Sequence, residues 1–158
     1  MVIREIQKED NVKIKEIIQR SLESFELDIP GTAYFDPQLS NLHAYYENLD
    51  AARYWVAEKD GEIVGGIGIA PFNEHEKICE LQKFYVDAKA QGLGLGKKLM
   101  ETALDFATKH YEKCYLETHH KLEVASKLYE KYGFTLLDAP IPGSEHSAMD
   151  MWYIKELS

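Results

Sequence analysis

The stretch "VDAKAQGLGLGKKLMETALDF", residues 86–106, sets Gly92, Gly94 and Gly96 at alternate positions between an apolar run and a helical pattern. The run before it, "KICELQKFYV" (77–86), predicts a long strand. Leu95, Leu99, Ala103 and Phe106 recur at three- and four-residue spacing and predict a helix over 94–110. A strand, a bare turn and a helix N-terminus bring free backbone N–H groups together, which is the making of an anion site. Glycines there would let the chain curl closely round a diphosphate, and Lys97 or Lys98 would add positive charge outside the turn. Glycines so spaced are also plain turn formers, so the letters have to be tested against known phosphate loops.

Two such loops fail the test. A mononucleotide P-loop wants glycine five residues before its Gly-Lys pair and Ser or Thr after it, and those positions hold Gln91 and Lys98. A dinucleotide fingerprint needs its third glycine where Lys97 stands and should follow a parallel strand-turn-helix unit. Glu117 sits roughly where an acidic ribose ligand would fall, but an antiparallel hairpin precedes the turn.

That hairpin is "RYWVAEKDGEIVGGIGIAPF", with strands over 53–58 and 62–70 about a turn at Asp60 and Gly61. Upstream, "MVIREIQ" alternates as a first strand. Asp10 or Asn11 then caps a helix carrying Val12, Ile14, Ile17, Ile18 and Leu22, which frays near Ser24. Residues 27–39 lack periodicity and predict an ordered loop, followed by a short helix over 40–48. Downstream, "KCYLETHH" (113–120) predicts a strand and "KLEVASKLYEKYGF" a helix capped at Gly133. "FTLLDA" and "MDMWYIKEL" predict two closing strands, the last returning beside the fifth. Helices interspersed with many strands predict an α+β or α/β layered domain, and the 158 residues suit one domain, 1–158.

The net charge of −9 is mixed along the chain and disfavours nucleic acid as a partner. No run approaches the roughly 18 apolar residues of a membrane span, and the expectation is a cytoplasmic protein without a membrane partner. Cys79 and Cys114 fall in strands without zinc-site spacing and are expected as buried thiols. The scattered histidines show no metal constellation.

"QGLGLG" does match Q/R-x-x-G-x-G/A, the coenzyme A diphosphate signature of the GNAT superfamily of N-acyltransferases. "DGEIVGGIGI", "ELQKFYV" and "ASKLYEKYGF" stand in the order that family has them, so the chain resembles it over nearly its whole length. The resemblance implies a mixed, twisted sheet of six to seven strands with helices on both faces, and a splay between strands four and five. It implies acetyl coenzyme A as acyl donor. Phe84, Tyr85 and Val86 would meet the pantetheine, and Gln91, Gly92, Leu93, Gly94, Gly96 and Lys97 the diphosphate. An asparagine common in the family three residues before Ala125 is here Leu122, which removes one polar coenzyme contact.

Direct transfer of an acetyl group from sulfur to an amine needs a neutral amine and a proton for the departing thiolate, and no protein nucleophile. By the resemblance, Glu80 is the expected general base and Tyr129 the expected general acid. Period-two alternation sends Glu80, Gln82 and Phe84 to one face and Leu81, Lys83 and Tyr85 to the other. Of the adjacent His119 and His120, one at most is expected to line the cleft. On the acceptor side the loop "FELDIPGTAYFDPQLSNLHAYY" offers carboxylates and aromatic faces to a cationic amine, with Tyr34 and Phe35 foremost and His119 beside them; His146 and Asp150 are further candidates. The expected activity is acetyl transfer to a primary amine of a small molecule or peptide. A coenzyme-binding or sensory module without turnover is the alternative, and a homodimer is an expectation of the resemblance.

Overall fold

The computed structural model describes residues 1–144 and 146–158. Asp60 and Gly61 both take positive φ, 53° and 81°, the geometry of a two-residue hairpin turn, and join β2 (Arg53–Lys59) to β3 (Glu62–Asn73). On one side of the hairpin β2 pairs with β1 (Val2–Glu5). On the other, β3 pairs with β4 (Ile78–Val86). The sheet continues through β5 (Lys113–Thr118) to β7 (Met151–Glu156), with β6 (Thr135–Leu137) outermost. The order is β1-β2-β3-β4-β5-β7-β6; β4 and β5 run parallel and the other neighbours antiparallel. β7 enters beside β5, as the sequence led us to expect.

Helices cover both faces. On one lie α1 (Asn11–Ser24) and α2 (Leu42–Glu47), where Ile14, Ile17, Ile18 and Leu22 are buried on one stripe of α1. Val12 falls off that stripe and is 72% exposed, which corrects its expected place in the core. On the other face α3 (Leu95–His110) buries Leu95, Leu99, Ala103 and Phe106, and α4 (Glu123–Lys131) adds Tyr129. Gly133, at φ 89°, turns the chain out of α4 while Phe134 N–H donates to the Tyr129 carbonyl. Cys79 and Cys114 are free, buried and opposite each other in the parallel pair. No helix of the described residues is long and apolar enough to cross a membrane.

The glycines of β3 make room for an aromatic layer. A Cβ at Gly66 would lie 2.5 Å from the Tyr54 ring, and one at Gly68 2.6 Å from the Tyr46 hydroxyl. Tyr54 reaches across β3 and donates its hydroxyl hydrogen bond to the Lys83 carbonyl at 2.7 Å. At that point β4 bulges. Lys83 takes φ 48° and the register jumps from Gly68↔Gln82 to Gly66↔Tyr85.

The bulge overturns the simple alternation read from the sequence. Gln82 bonds Tyr46 on the α1/α2 face, whereas Phe84 packs with the α3/α4 core, so Phe84 does not share a face with Gln82. One extra residue reverses which face the rest of the strand presents.

Candidate active site in the β4–β5 splay

The β4–β5 ladder is only three pairs long, Ile78↔Lys113, Cys79↔Cys114 and Glu80↔Tyr115. Beyond Glu80 and Tyr115 the strands part, while β5 stays paired with β7 along its other edge from Lys113 to Thr118. The gap holds a cavity of about 480 Å³. Phe84, Tyr85 and Val86 line it from the bulged strand, and Glu117 and Thr118 from β5. Gln91, Gly92, Gly94, Gly96 and Lys97 close one end, and Tyr129 stands in the wall from α4.

The glycine turn fits a diphosphate. Gly92 and Gly94 have φ of 82° and 78°, and a Cβ at either would meet nothing within 4 Å, so the backbone lies open to a ligand. Gly94 is the N-cap of α3, and the first intrahelical bond is Lys98 N–H to the Gly94 carbonyl, which leaves the preceding amides free for an anion. Lys97, Lys127 and Lys131 line the cavity without ion-pair partners among the described residues. In a chain of charge −9 this cluster of unmatched cations marks the anionic end of a ligand. Lys127 and Lys131 escaped the sequence reading, although their four-residue spacing already put them on one side of α4. Leu93 is 43% exposed and does not line the cavity; Leu122, the departure from the family pattern, does.

Tyr129 is 5% exposed, between the rings of Phe84 at 6.2 Å, Phe134 and Tyr153 at 5.8 Å each. Burial raises its phenol far above the ordinary value, with Tyr85 and Cys114 adding to the effect, so it holds its proton throughout the physiological range. No hydrogen bond to its hydroxyl contributes to that shift, and the group stays available as a donor.

Glu80 sits just behind the cavity wall. Its carboxylate accepts a 2.6 Å hydrogen bond from Gln82 Nε2, and Gln82 Oε1 accepts one of 2.6 Å from Tyr46. Burial raises its proton affinity; the Gln82 bond opposes this and the charge of Glu117 adds to it. Glu117, on the same side of the sheet by the Glu80↔Tyr115 register, does line the cavity. Its Oε2 accepts from the Tyr115 hydroxyl at 2.9 Å, and its Oε1 is buried without a partner.

The acceptor-side loop meets the cavity only through the contact of Asp36 with Lys83, and not through the neighbouring aromatics. Tyr34 turns back to α1 and donates to Glu23 at 2.6 Å, and Phe35 is 59% exposed; neither lines the cavity. Asp36 meets Lys83 Nζ at 2.9 Å and His146 Nε2 at 3.0 Å. Burial works against its ionisation, but His146 and Lys83 outweigh it and hold the carboxyl below its usual range. His146 is likewise disfavoured as a cation by burial, and the Asp36 bond more than restores it, raising its pKa. Sequence parity could not find Lys83 here, because the bulge turns it.

The histidine pair departs from expectation. β5 stops at Thr118, so His119 and His120 lie in the following turn, their rings 4.3 Å apart and both directed at Asp150. Ligand atoms of these three residues lie within 4.8 Å of one another, a grouping that spacing along the chain did not reveal. The Lys121 N–H donates to His119 Nδ1 at 3.2 Å, which places the neutral ring's proton on Nε2, facing Asp150. His120 is therefore hydrogen-bonded to Asp150 while His119 stands at ion-pair distance, with its lone pair turned away from the carboxylate; none of the three lines the cavity.

The sequence profile of the acetyltransferase (GNAT) family matches residues 14–134. The chain belongs to the GNAT family. It is 37% identical over 159 aligned residues to the uncharacterized N-acetyltransferase YjgM of Escherichia coli K12, covering 99% of this chain and 95% of that one. An acetyltransferase of the same family from Staphylococcus aureus Mu50 superposes with a TM-score of 0.88 at 24% identity over 99% of both chains. A yncA acetyltransferase from Salmonella typhimurium, solved with its cofactor acetyl-CoA, superposes at 0.76 and 21% identity over 100% of this chain and 94% of that one. The splayed β4–β5 pair and the seven-stranded mixed sheet are thus a GNAT fold, and the chain is an acetyl-CoA-dependent acetyltransferase.

Proposed function

We propose that the protein, as a single domain of residues 1–158, transfers an acetyl group from acetyl coenzyme A to a primary amine of a small molecule or peptide by direct attack. The observation that carries this reading is one cavity with two unlike ends. Free amides and lysines with no ion-pair partner among the described residues stand at the glycine turn, and the Glu117 carboxylate and a protonated tyrosine where the strands part. Bound there, the coenzyme supplies an acetyl carbon open to attack and a thiolate leaving group. Gly92, Gly94, Gly96, the amides that follow them and Lys97 hold its diphosphate, with Gln91 and Leu93 completing the turn. Phe84, Tyr85 and Val86 flank the arm.

Tyr129 gives a proton to the departing sulfur. Glu80 receives the proton that the amine must lose, through an intervening group, because Gln82 caps it and it stands behind the wall. The loop of Tyr34 and Phe35, pinned by Asp36, and the turn of His119 border the acceptor's entrance. Titration with acetyl coenzyme A, coenzyme A and free pantetheine tests the donor half. Tight binding that depends on the diphosphate is expected, and failure of both coenzyme forms to bind folded protein would remove the reading.

A further inference from the structure

The unfilled position in this scheme is the group between the acceptor nitrogen and Glu80. We propose that Glu117 fills it: its free Oε1 binds the acceptor as an ammonium and takes the first proton, which then passes to Glu80. The inference rests on the acetyl-transfer reading above and names the residue that touches the acceptor.

Three observations converge on Glu117. It lines the cavity on the β5 side of the splay, opposite Lys83, Phe84 and Tyr85. Its Oε1 is buried and has no partner among the described residues, a costly state for a carboxylate oxygen that a bound ammonium would relieve. Its other oxygen is fixed by the Tyr115 hydroxyl, which in turn accepts from Ile141 N–H at 3.3 Å, so Oε1 has a set direction. Lys83 also lines the cavity, but its charge is matched by Asp36, so Glu117 presents the unmatched charge at this end.

Glu80 is the natural next site for the proton. It shares the face of the sheet with Glu117, it stands in the pair next to Tyr115, which holds Glu117, and burial, with the charge of Glu117 adding to it, favours its protonation. The other titratable groups facing the pair are Tyr46 from α2, Lys83 from β4, Tyr115 from β5, Asp36 from the loop before α2, and His146 from the β6–β7 connection. Proton balance is closed by these residues and the solvent, to which Glu80 gives up its proton after each turnover. One proton leaves the ammonium for Glu117 and frees the lone pair that attacks. As the N–C bond forms and the C–S bond breaks, the nitrogen loses a second proton, which replaces the one Tyr129 gives to sulfur.

The test measures thiol release from acetyl coenzyme A with spermidine, L-alanine and a tripeptide with a free amino terminus, using wild type, Glu117→Gln, Glu117→Asp and Glu80→Gln. Coenzyme affinity is titrated in parallel. With whichever amine the wild type acetylates, Glu117→Gln should lower kcat/KM about a hundredfold near neutral pH, with the deficit shrinking as the amine deprotonates unaided at high pH. Glu117→Asp should recover part of the rate, and Glu80→Gln should lose less than Glu117→Gln. Coenzyme affinity should stay within about twofold in all four proteins. A folded Glu117→Gln protein with wild-type kcat/KM, or a loss that does not vary with pH, overturns the assignment and leaves the transfer reading standing. Coenzyme binding by the wild type without turnover of any of the three amines overturns both.

Discussion

Lys83 Nζ lies 2.9 Å from Asp36 Oδ2, with the lysine side chain only 2% exposed, so the bulge in β4 and the acceptor-side loop are joined by an ion pair out of water. Removing one member leaves the other's charge buried and uncompensated. Asp36→Ala is expected to cost about 3–5 kcal/mol of folding stability, and Asp36→Ala combined with Lys83→Met to cost less than Asp36→Ala alone. Denaturant unfolding of the three proteins measures it. A single variant as stable as wild type would show that the lysine finds water.

The Asp36–His146 contact sets a pH window for stability. Asp36 has its pKa lowered from 3.8 in the fold, so its contribution is present above that value and lost as pH falls through the folded one. His146 has its pKa raised from 6.5, so its contribution is full below 6.5 and lost as pH rises through the folded one. The stability difference between wild type and His146→Gln should therefore peak between 3.8 and 6.5 and narrow above. Unfolding free energies across pH 4 to 9 (about that span suffices) would show a flat difference if the contact were absent in solution.

Gly94 holds φ 78° at the N-cap of α3 with open space where a side chain would point. A β-branched residue there is strained by about 1–2 kcal/mol and would stand in the space left for the diphosphate. Gly94→Val should weaken acetyl coenzyme A binding at least about tenfold while circular dichroism shows α3 intact. Unchanged affinity would remove the turn from the donor site.

Tyr129→Phe keeps the ring packing against Phe84, Phe134 and Tyr153 and removes only the hydroxyl. Thermal stability and coenzyme affinity should hardly change, while kcat falls about ten- to a hundredfold. Because burial keeps the phenol protonated, the wild-type rate should show no alkaline limb from this residue near its ordinary value of 10.0. A full-speed variant would return Tyr129 to packing alone.

Lys127 and Lys131 flank the cavity without ion-pair partners among the described residues. Changing both to alanine should weaken coenzyme A binding about three- to tenfold at low salt, and less at high salt, since exposed charges are screened. Free pantetheine, which lacks the phosphates, should bind both proteins alike.

Much of this was written in local pattern. The alternate glycines from Gly92 to Gly96, the Asp60-Gly61 turn and the apolar stripes of α1 and α3 are short-range features, and short-range sterics and burial dictate them. The glycine turn and Tyr129 were legible for that reason, and they stand in one cavity.

What the chain alone could not reveal depends on long-range pairing. At the bulge Tyr54, seated over Gly66, bonds the Lys83 carbonyl, and no pattern within β4 records a residue so distant. The bulge sends Lys83 to Asp36 and Phe84 to the opposite face. The parting of β4 and β5 after Glu80 and Tyr115 is likewise a matter of pairing between distant strands, with β7 held on the other edge of β5. That parting leaves Glu80 behind the wall and Glu117 in it. Sequence by itself thus determined the family, the elements and the glycine turn, since neighbouring residues suffice to form them. Only the tertiary structure decided which carboxylate meets the cavity, because Glu80 stands in the last pair of the β4–β5 ladder and Glu117 in the gap beyond it, while a single bulge chooses the faces on which Lys83 and Phe84 emerge.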